Sequence, residues 1–164
     1  MKAFLMPLLL FSIAPSNDWI GKPAPELADG VWINSKPLTL SALRGRVVVL
    51  EFWTFACWNC RNTIPYVKAW HEKFKGDDFQ LIGVHTPEFA REKILENVKA
   101  EIKSLGIEYA VMTDNEFKTW RLYKQEYWPC VYVIDKKGII RYVHIGEGKY
   151  DETVSVIAKL LAEN

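Results

Sequence analysis

Apolar and polar residues along this chain follow two periods, and the changes between them divide it into elements. Val47, Val48, Val49, Leu50, Phe52 and Trp53 form an apolar run within Arg46 to Trp53, broken only by Glu51. Such a run suits a central strand covered on both faces. Arg61 to Lys75 is helical by its Ile64, Val67, Trp70 and Phe74 stripe, with Pro65 marking a kink. Phe79 to Val84 reads as the next strand. Glu92 to Leu105 reads as an amphipathic helix with Ile94, Leu95, Val98, Ile102 and Leu105 on one side, stopped by Gly106. Tyr109 to Met112 is a short strand and Glu116 to Tyr123 a short helix. Trp128-Pro129 introduces a strand from Cys130 to Ile134, the turn Asp135-Lys136-Lys137-Gly138 leads into Ile139 to Ile145, and a last helix starts near Asp151. The order β-α-β-α-β-α-β-β-α predicts an α/β fold, a mixed central sheet with helices on both faces.

The N-terminal third is less regular. Asn17 to Leu27 carries Gly21, Pro23 and Pro25 and reads as an extended lead-in. Val31 to Ile33 and Leu38 to Leu40, around Asn34-Ser35-Lys36-Pro37, predict a short hairpin. Ser41 is the expected cap of an Ala42 to Arg44 turn that Gly45 stops. Residues 1–16 differ from all that follows. Lys2 precedes the apolar run Ala3 to Ile13, and Ala14-Pro15-Ser16 supplies small residues for cleavage before Asn17. This is the pattern of a secretory signal peptide. The run is short for a membrane span, which needs roughly 20 residues; an uncleaved N-terminal anchor is the alternative. The expected organisation is a signal peptide at 1–16 and one domain at 17–164, exported to a periplasmic or other extracytoplasmic compartment that favours disulfides.

Composition narrows the function classes. The formal charge of +1 comes from 21 basic and 20 acidic residues without a basic block, so neither a nucleic-acid groove nor a polybasic membrane patch is expected. Seven Trp, seven Tyr and eight Phe predict a large aromatic core, with Trp58 reserved for an exposed contact surface. Three cysteines are too few for a disulfide scaffold. One cysteine pair, with His71, His85 and His144 lacking ligand spacing, does not make a zinc site, and no metal is expected.

The candidate chemistry is Cys57-Trp58-Asn59-Cys60, between the apolar strand and the kinked helix. That placement puts Cys57 at a helix N-terminus, where the macrodipole and unpaired backbone N–H groups stabilise a thiolate. A thiolate attacks disulfides, and Cys60 is close enough to close a small ring and release the product. A purely structural disulfide is the bland alternative, but a loop this short constrains the unfolded chain very little. Cys130 reads as a small buried hydrophobe, with a third redox partner as the alternative.

Strand, C-x-x-C, kinked helix and a proline opening a later strand resemble the thioredoxin fold from Trp19 to Leu161. The lead-in and Pro37-Leu38-Thr39-Leu40-Ser41-Ala42-Leu43-Arg44-Gly45 resemble the N-terminal extension of the TlpA-like branch, which includes exported thiol:disulfide oxidoreductases. Phe52 to Cys60, with Gly83-Val84-His85-Thr86-Pro87-Glu88-Phe89 and Gly146-Glu147-Gly148, is similar to the thioredoxin-like domains of DipZ-type and NHL-repeat-containing proteins. The resemblance implies that Cys57 attacks and buried Cys60 resolves. It places Glu51 where thioredoxin has its buried acid and Pro129 where the family has its cis-proline. A buried acid has its pKa raised, which suits Glu51 to take the Cys60 proton. Three positions depart from the pattern: Ala56 replaces a tryptophan, Trp58-Asn59 replaces Gly-Pro, and Cys130 follows the proline where a small or hydroxyl residue is usual.

The reading is an exported thiol:disulfide oxidoreductase that exchanges disulfides with protein substrates, without cofactor; the residues leave its direction open, and the TlpA-like resemblance implies a reductant. Trp58, Asn59 and Trp128 contact the substrate. The TlpA-like resemblance implies a membrane thiol donor and service to cytochrome c maturation, and a monomer is expected. Two rivals stay open, a non-catalytic binding module with a permanent disulfide and a thiol-dependent peroxidase. The second needs an activating Thr or Ser and an Arg around Cys57; Thr54 and Arg61 are present, at poor spacing.

Overall fold

A computed structural model describes residues 17–163. The signal peptide expected over residues 1–16 lies outside them. A 3-10 turn, Asn17–Trp19, opens an extended lead-in to β1 (Trp32–Ile33) and β2 (Val47–Trp53). There follow α1 (Trp58–Phe74), β3 (Phe79–His85), a second 3-10 turn (Ala90–Lys93), α2 (Leu95–Ser104) and β4 (Ala110–Thr113). The chain closes with α3 (Lys118–Leu122), β5 (Cys130–Ile134), β6 (Ile140–Ile145) and α4 (Tyr150–Ala162). The order of the sheet is β1-β4-β3-β2-β5-β6. β2, β3 and β4 run parallel, while β5 is antiparallel to β2, β6 to β5 and β1 to β4. This is the predicted mixed sheet.

Every residue of β2 is buried, as its unbroken apolar run requires of a strand paired on both edges and covered on both faces. Alternation sends Val47, Val49 and Trp53 into one core with Ile64, Val67 and Trp70 of α1, Val98 and Ile102 of α2, and Ile157 and Leu160 of α4. Val48, Leu50 and Phe52 enter the other core, with Tyr123, Leu40 and Leu43, closed by Trp19, Leu27 and Trp120. Gly83 makes room between β3 and β2, since a Cβ there would lie 2.8 Å from the Trp53 indole nitrogen.

Three expectations are corrected. The hairpin of Val31–Ile33 with Leu38–Leu40 does not form: Trp32 and Ile33 pair with Met112 and Val111 of β4 instead. A two-residue strand reaches greater burial at the open edge of the main sheet than in an isolated hairpin, which is marginal by itself. The cap before Ala42 is Thr39, whose hydroxyl accepts the Ala42 N–H at 3.2 Å, and not Ser41. The helix read over Glu92 to Leu105 is divided at Ile94, which is exposed and extended, and only α2 beyond it buries Val98 and Ile102.

Candidate active site

β2 delivers the chain to the end of the sheet where α1 begins. Cys57 is the N-cap of α1, with extended backbone at φ −72° and ψ 118°, and its Sγ accepts the Cys60 N–H at 3.2 Å. The sulfur fills the position that a Ser or Asp oxygen usually occupies at a helix start. Both thiols are free. Cys57 is half-buried and Cys60, inside the first turn, is fully buried. The two differ in acidity accordingly. Hydrogen bonding from the Cys60 side chain, helped by the Cys60 and Asn59 amides, holds Cys57 down at about 7 against burial and the charge of Glu88. Burial, with the Cys57 thiol next to it, pushes Cys60 far up. Trp58 is 74% exposed and Asn59 is exposed as well, so the two residues inside the C-x-x-C face outward.

Behind the pair, Glu51 projects from β2 toward the α1 side of the sheet, on the face shared by Val49 and Trp53. It is fully buried, and burial pushes its carboxyl up to about 8 despite a hydrogen bond from Tyr109. Charge on Cys57 raises it further, and Glu51 in turn raises Cys60. The three groups therefore titrate as a linked set.

Pro129 opens β5 after a cis Trp128–Pro129 peptide bond. The antiparallel register sets Cys130 opposite Phe52, so Pro129 lies level with the end of β2 from which the Cys57 loop departs. Its carbonyl accepts the Gly146 N–H at 2.8 Å. Gly146 turns the chain there at φ +85°, a conformation that favours glycine. Glu147 beside it accepts from Asn62 of α1 at 3.3 Å, which joins the Gly146-Glu147-Gly148 loop to the site. Trp128 is half-buried, its ring centred 4.2 Å from that of Trp120 at a tilt of 33°, and packs with Cys57 on the core that contains Cys60.

Cys130 lies elsewhere. Its side chain enters the opposite core with Phe52 and Tyr132, across the sheet from Cys60. Burial pushes its thiol up to about 12. His85 is buried between the rings of Phe55 and Trp53, and burial lowers it to about 4, so it is a neutral packing residue. Thr54 and Arg61 are both committed away from Cys57. The Thr54 hydroxyl donates to Glu92, and Arg61 bonds the Phe55 carbonyl and the Glu101 carboxylate.

Two residues of this neighbourhood escaped the sequence. In the sequence Tyr109 reads only as part of a strand, and Glu92 only as the start of a helix. Glu92 is fully buried and accepts from the Thr54 hydroxyl and from the amides of Ala56, Glu88 and Phe89. The available signal was its place three residues into a turn after Phe89, where an acid commonly reaches back to a free amide.

This geometry, a dithiol of unequal burial at the start of a helix that carries Pro65, beside a cis-proline, defines a thioredoxin-like thiol:disulfide oxidoreductase domain. The chain matches the AhpC/TSA family over residues 20–143 and belongs to it. A thioredoxin-like superfamily protein of known crystal structure superposes with a TM-score of 0.81 at 31% identity, covering 87% of this chain and 97% of the other. A thiol-disulfide isomerase from Corynebacterium glutamicum gives 0.75 at 29% identity, covering 86% and 98%. Protein DipZ of Mycobacterium tuberculosis is 42% identical over 133 residues, which is 79% of this chain and 19% of DipZ. The chain thus spans about a fifth of that relative's length. The TlpA-like, DipZ-type resemblance read from the motifs agrees with these relatives.

Proposed function

We propose that this protein is an exported reductant of protein disulfides that works through Cys57 and Cys60. The observation that carries the reading is the asymmetry of the pair: an accessible sulfur at a helix N-terminus beside a buried one in the same turn. In the cycle, the Cys57 thiolate attacks a substrate disulfide, forming a mixed disulfide and releasing the first substrate thiolate. Glu51 takes the Cys60 proton, and Cys60 attacks Cys57 Sγ. The Cys57–Cys60 disulfide forms and the second substrate thiolate leaves, so the substrate gains the two electrons that the pair loses. The exposed ring of Trp58, with Asn59 and the backbone of Trp128 and Pro129, receives the substrate segment.

The reducing direction is supported by the acidity of Cys57. A thiol near 7 belongs with reductants of this fold, whereas strong oxidants hold theirs near 3.5 and so stabilise the reduced form. Export is supported by the composition of residues 1–16. In such a compartment a membrane thiol donor is needed to recharge the pair, and service to cytochrome c maturation belongs to the same proposal. Among the described residues no helix is long and apolar enough to cross a membrane.

Trapping tests the reading. Cys60→Ser removes the resolving thiol, so the variant is expected to hold a mixed disulfide between Cys57 and its substrate. Recovery of no covalent adduct from the native compartment would favour the binding-module rival.

A further inference from the structure

We propose that Glu92 is a positioning residue for the attacking thiol, a carboxylate clamp that fixes the Cys57 loop against the loop carrying Glu88 and Phe89. The proposal rests on Cys57 being the nucleophile. One carboxylate oxygen, Oε1, accepts the Thr54 hydroxyl and the Ala56 N–H, the latter at 2.8 Å. The other, Oε2, accepts the Glu88 and Phe89 N–H groups, each at 2.8 Å. Ala56 is the residue before Cys57. Glu88 is the acid whose charge reaches Cys57, and Phe89 is half-exposed on the same rim. A single buried anion therefore sets both the placement of the sulfur at the helix start and the distance of the opposing charge.

The chemistry requires an acid at this position. Four donors converge on two oxygens, and only an ionised carboxylate presents acceptors on both sides. A glutamine must turn its NH2 toward one pair. Glu88 and Phe89 offer two backbone N–H groups that cannot reverse, whereas the Thr54 hydroxyl can turn round to accept and point its hydrogen at the neutral His85 ring, whose Nε2 lies 3.4 Å away. The amide NH2 therefore settles on the Thr54 side and leaves the Ala56 N–H facing a donor. The loop that sets Cys57 at the N-cap is the one released. Burial alone would raise the Glu92 carboxyl, but the hydroxyl and three amides outweigh it and hold it below the usual carboxylate range.

The test is the pH dependence of Cys57 alkylation by iodoacetamide in the reduced full chain, comparing wild type with Glu92→Gln. Loosening the N-cap weakens the bonds that lower the Cys57 thiol, so its titration moves upward. At pH 7 labelling slows about three- to tenfold, and the two rates converge above about pH 9, where Cys57 is ionised in both proteins. Merely structural damage or altered access would shift the rate equally at every pH. Should Glu92→Gln not fold, Glu92→Asp carries the same test, with a smaller slowing at pH 7, because the shorter acid keeps its charge but cannot span both loops. Unchanged profiles in a folded variant would overturn the clamp. An ordinary thiol titration near 8.5 in the wild type would instead contradict the reading of Cys57 as an activated nucleophile, and the comparison between variants would still decide whether Glu92 positions it.

Discussion

The Tyr109 hydroxyl donates a 3.1 Å hydrogen bond to Glu51 Oε2, joining residues 58 positions apart in sequence. Both side chains are buried, and Glu51 Oε1 has no partner among the described residues. The bond favours the ionised carboxylate, and it opposes the burial that holds the acid protonated. In the proposed cycle Tyr109 therefore lowers the pH at which Glu51 can accept the Cys60 proton, against the larger effect of burial.

Replacing Tyr109 with Phe keeps the ring and deletes that bond. The Glu51 titration is expected to rise above about 8, and release of a mixed disulfide should require a higher pH. Leaving a buried carboxyl without its donor costs about 1–3 kcal/mol of stability. Single-turnover resolution of a Cys57 mixed disulfide across pH 6–10 measures the first effect. Superimposable profiles for the variant and wild type would separate Glu51 from the resolving step.

The same acid predicts how stability varies with pH. In the folded protein Glu51 keeps its proton up to about 8, while in the unfolded chain it releases it near 4.5. Between those values the folded state binds more protons, so this residue's contribution falls as pH rises. Glu51→Gln, neutral throughout, should gain on the wild type from pH 4.5 to 8 and hold a constant lead beyond. The gain is on the order of a few kcal/mol. Denaturant unfolding of the reduced proteins at pH 5 and pH 8.5 checks it, and an equal difference at both pH values would contradict a raised Glu51.

Cys130 tests the separation of the two cores. Lying across the sheet from Cys60, it has no route to Cys57 in the folded state. Cys130→Ala should leave the Cys57–Cys60 equilibrium unchanged and lose about 1–2 kcal/mol from the missing sulfur. Non-reducing peptide mapping of the oxidised wild type should find no Cys57–Cys130 linkage; finding one would make Cys130 a redox partner.

Much of this arrangement was legible in residue order. The run from Val47 to Trp53 could only be a buried strand, and a C-x-x-C following it had to open a helix. The same logic placed Pro129 at a strand start. What escaped depends on partners far along the chain. Trp32 and Ile33 look like half of a local hairpin because nothing nearby announces Met112 and Val111 as their partners. Glu92 resembles an ordinary acid in a first turn, and only the loop between β2 and α1, folded beside it, supplies Thr54 and Ala56 as donors. Tyr109 in an apolar run gives no sign of the carboxylate that its hydroxyl meets.

Export makes a separate prediction. Secreted protein should begin at Asn17, with the segment before it removed. Intact-mass analysis decides the point, and material that retains Met1 would favour an N-terminal anchor.

The central claim is that Cys57 and Cys60 cycle between dithiol and disulfide at a reducing potential. Equilibrating the full chain in glutathione buffers of graded potential, quenching with acid and mapping each cysteine by mass measures this directly. The account predicts one two-electron transition confined to Cys57 and Cys60, with its midpoint nearer −270 mV than −120 mV, the span of reductants and oxidants on this fold, and with Cys130 remaining a thiol throughout. A pair that stays oxidised across the whole series, or a midpoint near −120 mV, would contradict it.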